Sequence, residues 1–429
     1  MRIILIGAAS RSFGLGQIID VLRCPDLRGR SVTLALVDGD AAALDLMTRV
    51  AQRARSHLQT DVQLESHTDR RAALPGADYV ITAVARRRYE LWEQDYRVPL
   101  AYGFHHVLGE NGGPGALFHA LRSFELIIPI CRDVERLCPD ALVMNFTNPE
   151  ARVLHAISHL TRVKAAGFCH GVFGAMARIC KYLGKDEEEL DIVSAGMNHF
   201  YCILKVWEKS TGVDLLPQAV QMAAEDASAP PVFRTFAQVY DVFTFPSDDH
   251  IGEYLTFGAE FHGALWPYGR ERRKVRLQEA PEPDYLTEYA TGKRPADDPK
   301  ITAGSHELTV PIICDIELKR DSYRPAVNVL NREGYIENLP RHSAVEVPAR
   351  VDAEGIHPLH VGALPESFAA FIRPQCTIHD LLTEAYRTGS RKLLLQALLL
   401  DPNVNSVRNA ERMLDEMLNL QSEFLPRFQ

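Results

Sequence analysis

The chain has 429 residues, 46% hydrophobic and 24% charged, a balance that excludes a disordered or fibrous protein and permits a large buried core. Its net charge of -9 argues against nucleic acid as a partner, because gripping a phosphate backbone needs a clustered cationic surface. No apolar run approaches the roughly eighteen residues that cross a membrane, and eight cysteines without a CxxC pair indicate neither a disulfide framework nor a zinc ribbon. In chain order, residues 2–7 (RIILIG) predict a strand; the run stops at Gly7, so a strand explains it better than a signal peptide, and the protein reads as cytoplasmic. A Gly- and Ser-containing turn, the helical pattern GQIIDVLR and the strand SVTLALVD ending at Asp38 complete a βαβ unit. A helix from Ala41 to about Leu58, a short strand near DVQLES, a turn at Pro75-Gly76 and the strand ADYVITAVA follow. Next come a helix after Gly115 and the strand ALVMNF, which stops at Thr147-Asn148-Pro149 because proline cannot extend the ladder.

Two further strand-to-loop transitions, VKAAGFCHG and DIVSAGMNHF, precede residue 200, after which the periodicity is mixed. Residues 280–299 (APEPDYLTEYATGKRPADDP) read as loop or a mobile segment, and a long helical run from Thr377 to about Leu420 closes the chain. Strands alternating with helices predict an α/β fold: a Rossmann-type, doubly wound sheet over residues 1–200, then a C-terminal mixed α+β domain over 201–429, as in lactate and malate dehydrogenases.

The turn GAASRSFGLG lies where a dinucleotide pyrophosphate would meet a helix N-terminus and free backbone N–H groups. Ala9 replaces the second glycine of GxGxxG, which weakens the motif; Asp38 restores it, because a carboxylate there accepts from ribose hydroxyls and repels a 2′-phosphate. NAD is therefore the expected cofactor, with Gly7, Ala8, Ala9, Ser10, Phe13, Asp38, Ala83 and Asn145 as candidate contacts.

Three strand ends are expected on one edge of the sheet: Asn148, Cys169-His170 and Asn198-His199. Ligands bind at such carboxyl edges, and a thiolate with an imidazole can hold one of several first-row cations. Taken singly, Cys169 reads as a buried thiol and His199 as an ordinary core or surface histidine; their coincidence with Asn148 carries the argument. Arg86, Arg87 and Arg88 follow ADYVITAVA and read either as a solvated face or as a carboxylate clamp, with Arg87 the candidate.

The blocks GENGGPGALFHALRS, NFTNPE, Cys169-His170, Asn198-His199, DDHIGEY and residues 331–365 follow, in order, the pattern of glycoside hydrolase family 4, which the chain resembles from residue 1 to about 420. The resemblance implies that Cys169 and His199 bind a metal, usually Mn²⁺, and that Asn148 contacts the sugar, with Asn198 beside it. It implies hydrolysis without the usual carboxylate pair: oxidation of sugar C3 with NAD, loss of the C2 proton, elimination at C1, addition of water and re-reduction. Tyr254 is the implied base and Asp249 the alternative; His170, which stands where phosphosugar-cleaving members carry aspartate, is a candidate acid, and Glu110 faces the same site. The Cys-His-Gly variant resembles the α-galacturonidase branch, so a uronide is the first expectation, and an α-glucoside or α-galactoside the alternative. A small carbohydrate and a homodimer or homotetramer are the expected partners, without nucleic acid or membrane. Two other readings stay open: an NAD-dependent 2-hydroxy-acid dehydrogenase, and a non-catalytic sensor of NAD or sugar.

Overall fold

The computed structural model describes residues 1–11, 13–262, 284–305 and 307–429. Its framework is a sheet whose first six strands are parallel: β1 (Arg2–Ile6), β2 (Thr33–Val37), β3 (Gln63–His67), β4 (Tyr79–Thr82), β5 (Leu142–Asn145) and β6 (Lys164–Gly167). Their order, 3-2-1-4-5-6, is that of the Rossmann fold, with the reversal beside β1 where a cleft must open. Alternation along the strands explains the two helical layers. Ile4, Ile6, Val80 and Val143 face the helices Gly115–Leu137, Glu150–Leu160 and Glu366–Thr388, whereas Ile3, Leu5, Ile81 and Met144 face Phe13–Arg23, Ala41–Leu58 and Thr309–Glu317. Both faces of the central strands are thereby dry, which is why they read as unbroken apolar runs.

Beyond β6 the sheet continues antiparallel through β9 (Ser322–Leu330), β10 (Ala344–Asp352), β7 (Leu190–Met197) and β8 (Phe200–Glu208), with β11 (Gly355–Pro358) folded back on β10. One rung crosses four of these strands: Gly167 pairs with Asn328, Asn328 with Glu346, and Glu346 with Gly196. The expectation of three strand ends on one parallel edge is therefore corrected. β7 pairs antiparallel with its neighbours, and His199 comes from the tight turn into β8, where it takes a positive φ of 62°.

Two further expectations change. Within residues 280–299, positions 280–283 lie outside the described residues and 291–298 are turn and loop as expected, but Tyr285–Ala290 is a helix and a second short helix, Pro299–Thr302, begins at the last residue, capped by the side chains of Asp284 and Asp298 respectively. The C-terminal run is three helices, Glu366–Thr388, Arg391–Leu400 and Val407–Leu420, because Gly389 turns left-handed (φ 69°) and Asp401-Pro402 ends the second. Among the described residues no helix is long and apolar enough to cross a membrane.

Candidate active site

Two connected cavities lie at the carboxyl end of the parallel strands. The larger, about 1160 Å³, is lined by Gly7, Ala9, Ser10, Phe13, Asp38, Ala83 and Asn148, among others. Gly7 has a φ of 90°, and a Cβ there would stand 2.2 Å from the Ala83 carbonyl oxygen, so only glycine leaves the turn open. The Asp38 carboxylate ties the turn to the end of β2 by accepting from the N–H groups of Ala9 and Asp40, each at 3.1 Å. This is the cradle a dinucleotide requires: a glycine that admits phosphate, and a carboxylate at the second strand's end. Ala8 and Asn145 do not line it. Ala8 is buried, with its N–H donated to the Val37 carbonyl, and Asn145 spends its amide on Thr82 and Thr147.

The smaller cavity, about 300 Å³, shares Phe13, Arg88, Phe146 and Asn148 with the larger, so a ligand in one reaches the other. It gathers Glu110, Cys169, His170, His199 and Asp249 from four separate segments. Cys169 Sγ lies 3.2 Å from His199 Nε2. With metal–sulfur and metal–nitrogen bonds of about 2.3 and 2.0 Å, two adjacent ligands of one ion span such a separation. The electrostatics fit a cation as well. Burial lowers the His199 imidazole to about 4, keeping a lone pair available, and burial with the nearby Glu346 and Glu307 carboxylates raises the Cys169 thiol. A divalent ion relieves that second effect, because the negative field that keeps the thiol protonated attracts the ion, and coordination removes the proton.

Buried polar groups hold these ligands. Glu346 Oε2 accepts from Asn198 Nδ2 and Asn328 Nδ2, each at 3.1 Å, which locks the turn before His199 to the shared rung. Asn198 thus braces the site from behind and does not line the cavity, contrary to the expected sugar contact. His250 stacks on His199 at 4.2 Å between ring centroids, and Phe245 lies parallel to His250 at 5.6 Å. His170 Nδ1 donates to Glu307 Oε1 at 2.7 Å, and that carboxylate raises the imidazole's pKa, outweighing burial.

The arginine expectation shifts by one residue. Arg87 is exposed, 3.7 Å from Glu90, with its guanidinium over the Phe424 ring, whereas Arg88 enters the cavity and pairs with Glu110 at 2.5 Å. The Glu110 loop is held from below by Glu253, whose carboxylate accepts from the N–H groups of Glu110 and Asn111 at 2.6 and 3.0 Å. Tyr254 is also displaced from its expected role. It is buried in the apolar core, stacked on Phe200 at 5.0 Å, its hydroxyl 3.5 Å from the Asn198 carbonyl oxygen, and burial and Glu253 raise its pKa well above the ordinary phenol. Asp249 is the carboxylate of that segment that reaches the cavity.

The sequence reading passed over Glu307, Glu346, His250 and Glu253. His250 and Glu253 lie in DDHIGEY and Glu346 in residues 331–365, but no local spacing marks these residues or Glu307 as facing or supporting the site.

Two family models cover most of the chain: family 4 glycosyl hydrolase over residues 2–185, and the family 4 glycosyl hydrolase C-terminal domain over residues 194–404. The chain belongs to the family 4 glycosyl hydrolases. Among similar members of this family, an α-glucosidase of Erwinia rhapontici is 30% identical across 99% of this chain and 98% of its own length. An α-galacturonidase of Lachnoclostridium phytofermentans is 24% identical across 100% of this chain and 97% of its own. In structure, the chain is similar to a 6-phospho-α-glucosidase from gut microorganisms, solved with NAD and Mn²⁺: the TM-score is 0.84 at 20% identity, covering 100% of this chain and 99% of that one.

Proposed function

We propose that this family 4 glycosyl hydrolase uses NAD and a divalent cation, Mn²⁺ first, to cleave the α-glycosidic bond of an unphosphorylated hexose. The single observation that carries the reading is the Cys169–His199 pair, 3.2 Å apart in a small cavity that opens onto the dinucleotide cleft. When bound, the cofactor and cation supply reversible oxidation at sugar C3 and neutralisation of the charge that develops when C2 loses its proton.

The remaining work falls to side chains. Asp249 takes the C2 proton, replacing Tyr254 in that role, since a base must reach its proton and a phenol in the apolar core does not. His170, whose hold on a proton the Glu307 carboxylate strengthens, gives a proton to the departing glycosidic oxygen. Asn148 and Arg88 orient the sugar where the two cavities join, and Phe13, Phe146, Phe168 and Trp92 wall off bulk water. For the sugar, the absence of Arg87 from the cavity weighs against the uronide, and Arg88 is already neutralised by Glu110. A neutral α-glucoside or α-galactoside fits that balance. The uronide stays as a second reading because Arg88 does face the cavity, and a substrate carboxylate could displace Glu110 from it. Leu399, Leu400, Val407 and Leu420, exposed along the last two helices, support association with further copies of the chain.

The test is to incubate the protein with NAD⁺, Mn²⁺ and a thiol reductant against aryl α-hexosides and uronides in D₂O. Release of the aryl group with deuterium at C2 of the sugar is expected. Net accumulation of NADH without release would support a dehydrogenase, and binding of NAD without turnover a sensor.

A further inference from the structure

On the face of the sheet carrying the helix Phe13–Arg23, away from the two cavities, a second pair of sulfur atoms meets. Cys24, which ends that helix, and Cys314, in the helix Thr309–Glu317, are separated by 290 residues in sequence, and their Sγ atoms are 3.6 Å apart. Cys24 is half-buried, so a small oxidant reaches it, while Cys314 is buried. We propose that Cys24 and Cys314 form a redox-responsive dithiol, closed to an intramolecular disulfide by hydroperoxides.

Four features support this assignment. The sulfurs already touch, so bond formation needs them to approach by about 1.5 Å to reach the roughly 2.05 Å of a disulfide. The two thiols share a hydrogen bond, which together with the backbone N–H groups of Asp26 and Leu27, in the short turn that follows, favours the Cys24 thiolate. Cys24 is the one cysteine of eight whose pKa is lowered; the other seven are raised, six of them chiefly by burial and Cys314 chiefly by Cys24. The electrostatic surroundings also disfavour the other use of such a cluster. Asp26 stands close enough to serve as a third metal ligand, but both its oxygens accept from Arg320, at 2.8 Å each, and the guanidinium repels an incoming cation.

The chemistry balances in two steps. The Cys24 thiolate attacks one oxygen of the hydroperoxide; the O–O bond breaks, Cys24 becomes a sulfenic acid, and the peroxide leaves reduced as water or alcohol after taking a proton. Cys314 sulfur then attacks Cys24 sulfur; the S–S bond forms, and hydroxide leaves with the thiol proton as water. Two thiols lose two protons and two electrons, and the peroxide gains them.

The closed disulfide would couple to the active site, since it joins the helix that begins at the dinucleotide turn to the helix that begins just after Glu307, the partner of His170.

The decisive experiment treats the full-length protein with hydrogen peroxide, blocks free thiols, digests without reduction and maps linked peptides by mass spectrometry. A Cys24–Cys314 cross-link lighter by two hydrogens, formed at a rate independent of protein concentration and reversed by dithiothreitol, is expected, with Cys169 still free. Cys314→Ser should lose the link and leave a Cys24 sulfenic acid that dimedone traps, while Cys24→Ser should leave neither product. Absence of the link in the unsubstituted protein, preferential oxidation of Cys169, or one zinc per chain that protects both thiols would overturn the proposal.

Discussion

Replacing Tyr254 by phenylalanine and, separately, Asp249 by asparagine distinguishes two placements of the proton-abstracting group. The Tyr254 hydroxyl makes one 3.5 Å contact, to the Asn198 carbonyl oxygen, at the weak limit of a hydrogen bond. Its loss costs about 0.5 kcal/mol, which as a rate is roughly a twofold change. A base phenol would also need a lowered pKa, and burial with the neighbouring Glu253 pushes Tyr254 the other way. Asp249 lines the cavity, and a positioned general base is worth about 10²- to 10⁴-fold. The expected outcome is near-normal turnover for Tyr254→Phe and a loss of about 10² or more in kcat, with little change in KM, for Asp249→Asn. The rate at which C2-deuterated sugar is released in D₂O should persist in the first variant and fall with turnover in the second. Thermal melts of both variants, matched to the parent, guard against misfolding. A hundredfold loss in a normally folded Tyr254→Phe, with Asp249→Asn still active, would refute the assignment and move the base back to the phenol.

Cys169→Ser should weaken Mn²⁺ binding by at least tenfold, read by electron paramagnetic resonance or calorimetry; unchanged affinity would remove the cysteine from the ligand set. Gly7→Ala adds a Cβ 2.2 Å from the Ala83 carbonyl oxygen at a φ of 90°, so NAD⁺ affinity should fall by roughly tenfold or more in a chain that still folds, read by calorimetry. Stability should fall on acidification below about pH 6.5, the ordinary histidine value. His106, His119 and His379 are buried with pKa values lowered, His106 to about 4, so the unfolded chain binds protons that the native chain refuses. Each contributes up to about 1.4 kcal/mol per pH unit, and urea melts giving equal stability at pH 7 and pH 5 would contradict this.

The parallel half of the fold was legible because period and burial agree there: RIILI and YVIT lie in a sheet covered on both faces, and apart from Arg2 and Thr82 at their ends their positions are apolar or aromatic for the same reason. The site residues that could be read were those attached to strand ends, such as Asn148, Cys169 and Asp38. Where the reading missed, a local cue was overruled by distant packing. DIVSAGM has the pattern of any buried strand, and nothing in it tells that β10, about 150 residues later, will pair with it antiparallel. Arg87 and Arg88 are equivalent in sequence, and a left-handed backbone at Arg87 (φ 42°) turns one outward over Phe424 and leaves the next to meet Glu110. Tyr254 and Asp249 share one short segment, yet only the fold of that segment decides which faces the cavity. Glu346 was invisible as a support because its partners, Asn198 and Asn328, reach it only once the sheet has closed.

The rung through Gly167, Asn328, Glu346 and Gly196 makes the two halves of the polypeptide mutually dependent for chemistry. The Cys169 sulfur and the His199 imidazole nitrogen follow β6 and β7, strands that β9 and β10 separate in the sheet, and those two strands are synthesised after both ligands. An N-terminal fragment ending near residue 320 could keep its dinucleotide turn and the Tyr201–Gly171 hydrogen bond that also ties the two segments, yet it would lack the sheet rung behind Cys169 and His199. Competence for turnover therefore arrives late in synthesis, with the final strands of the sheet.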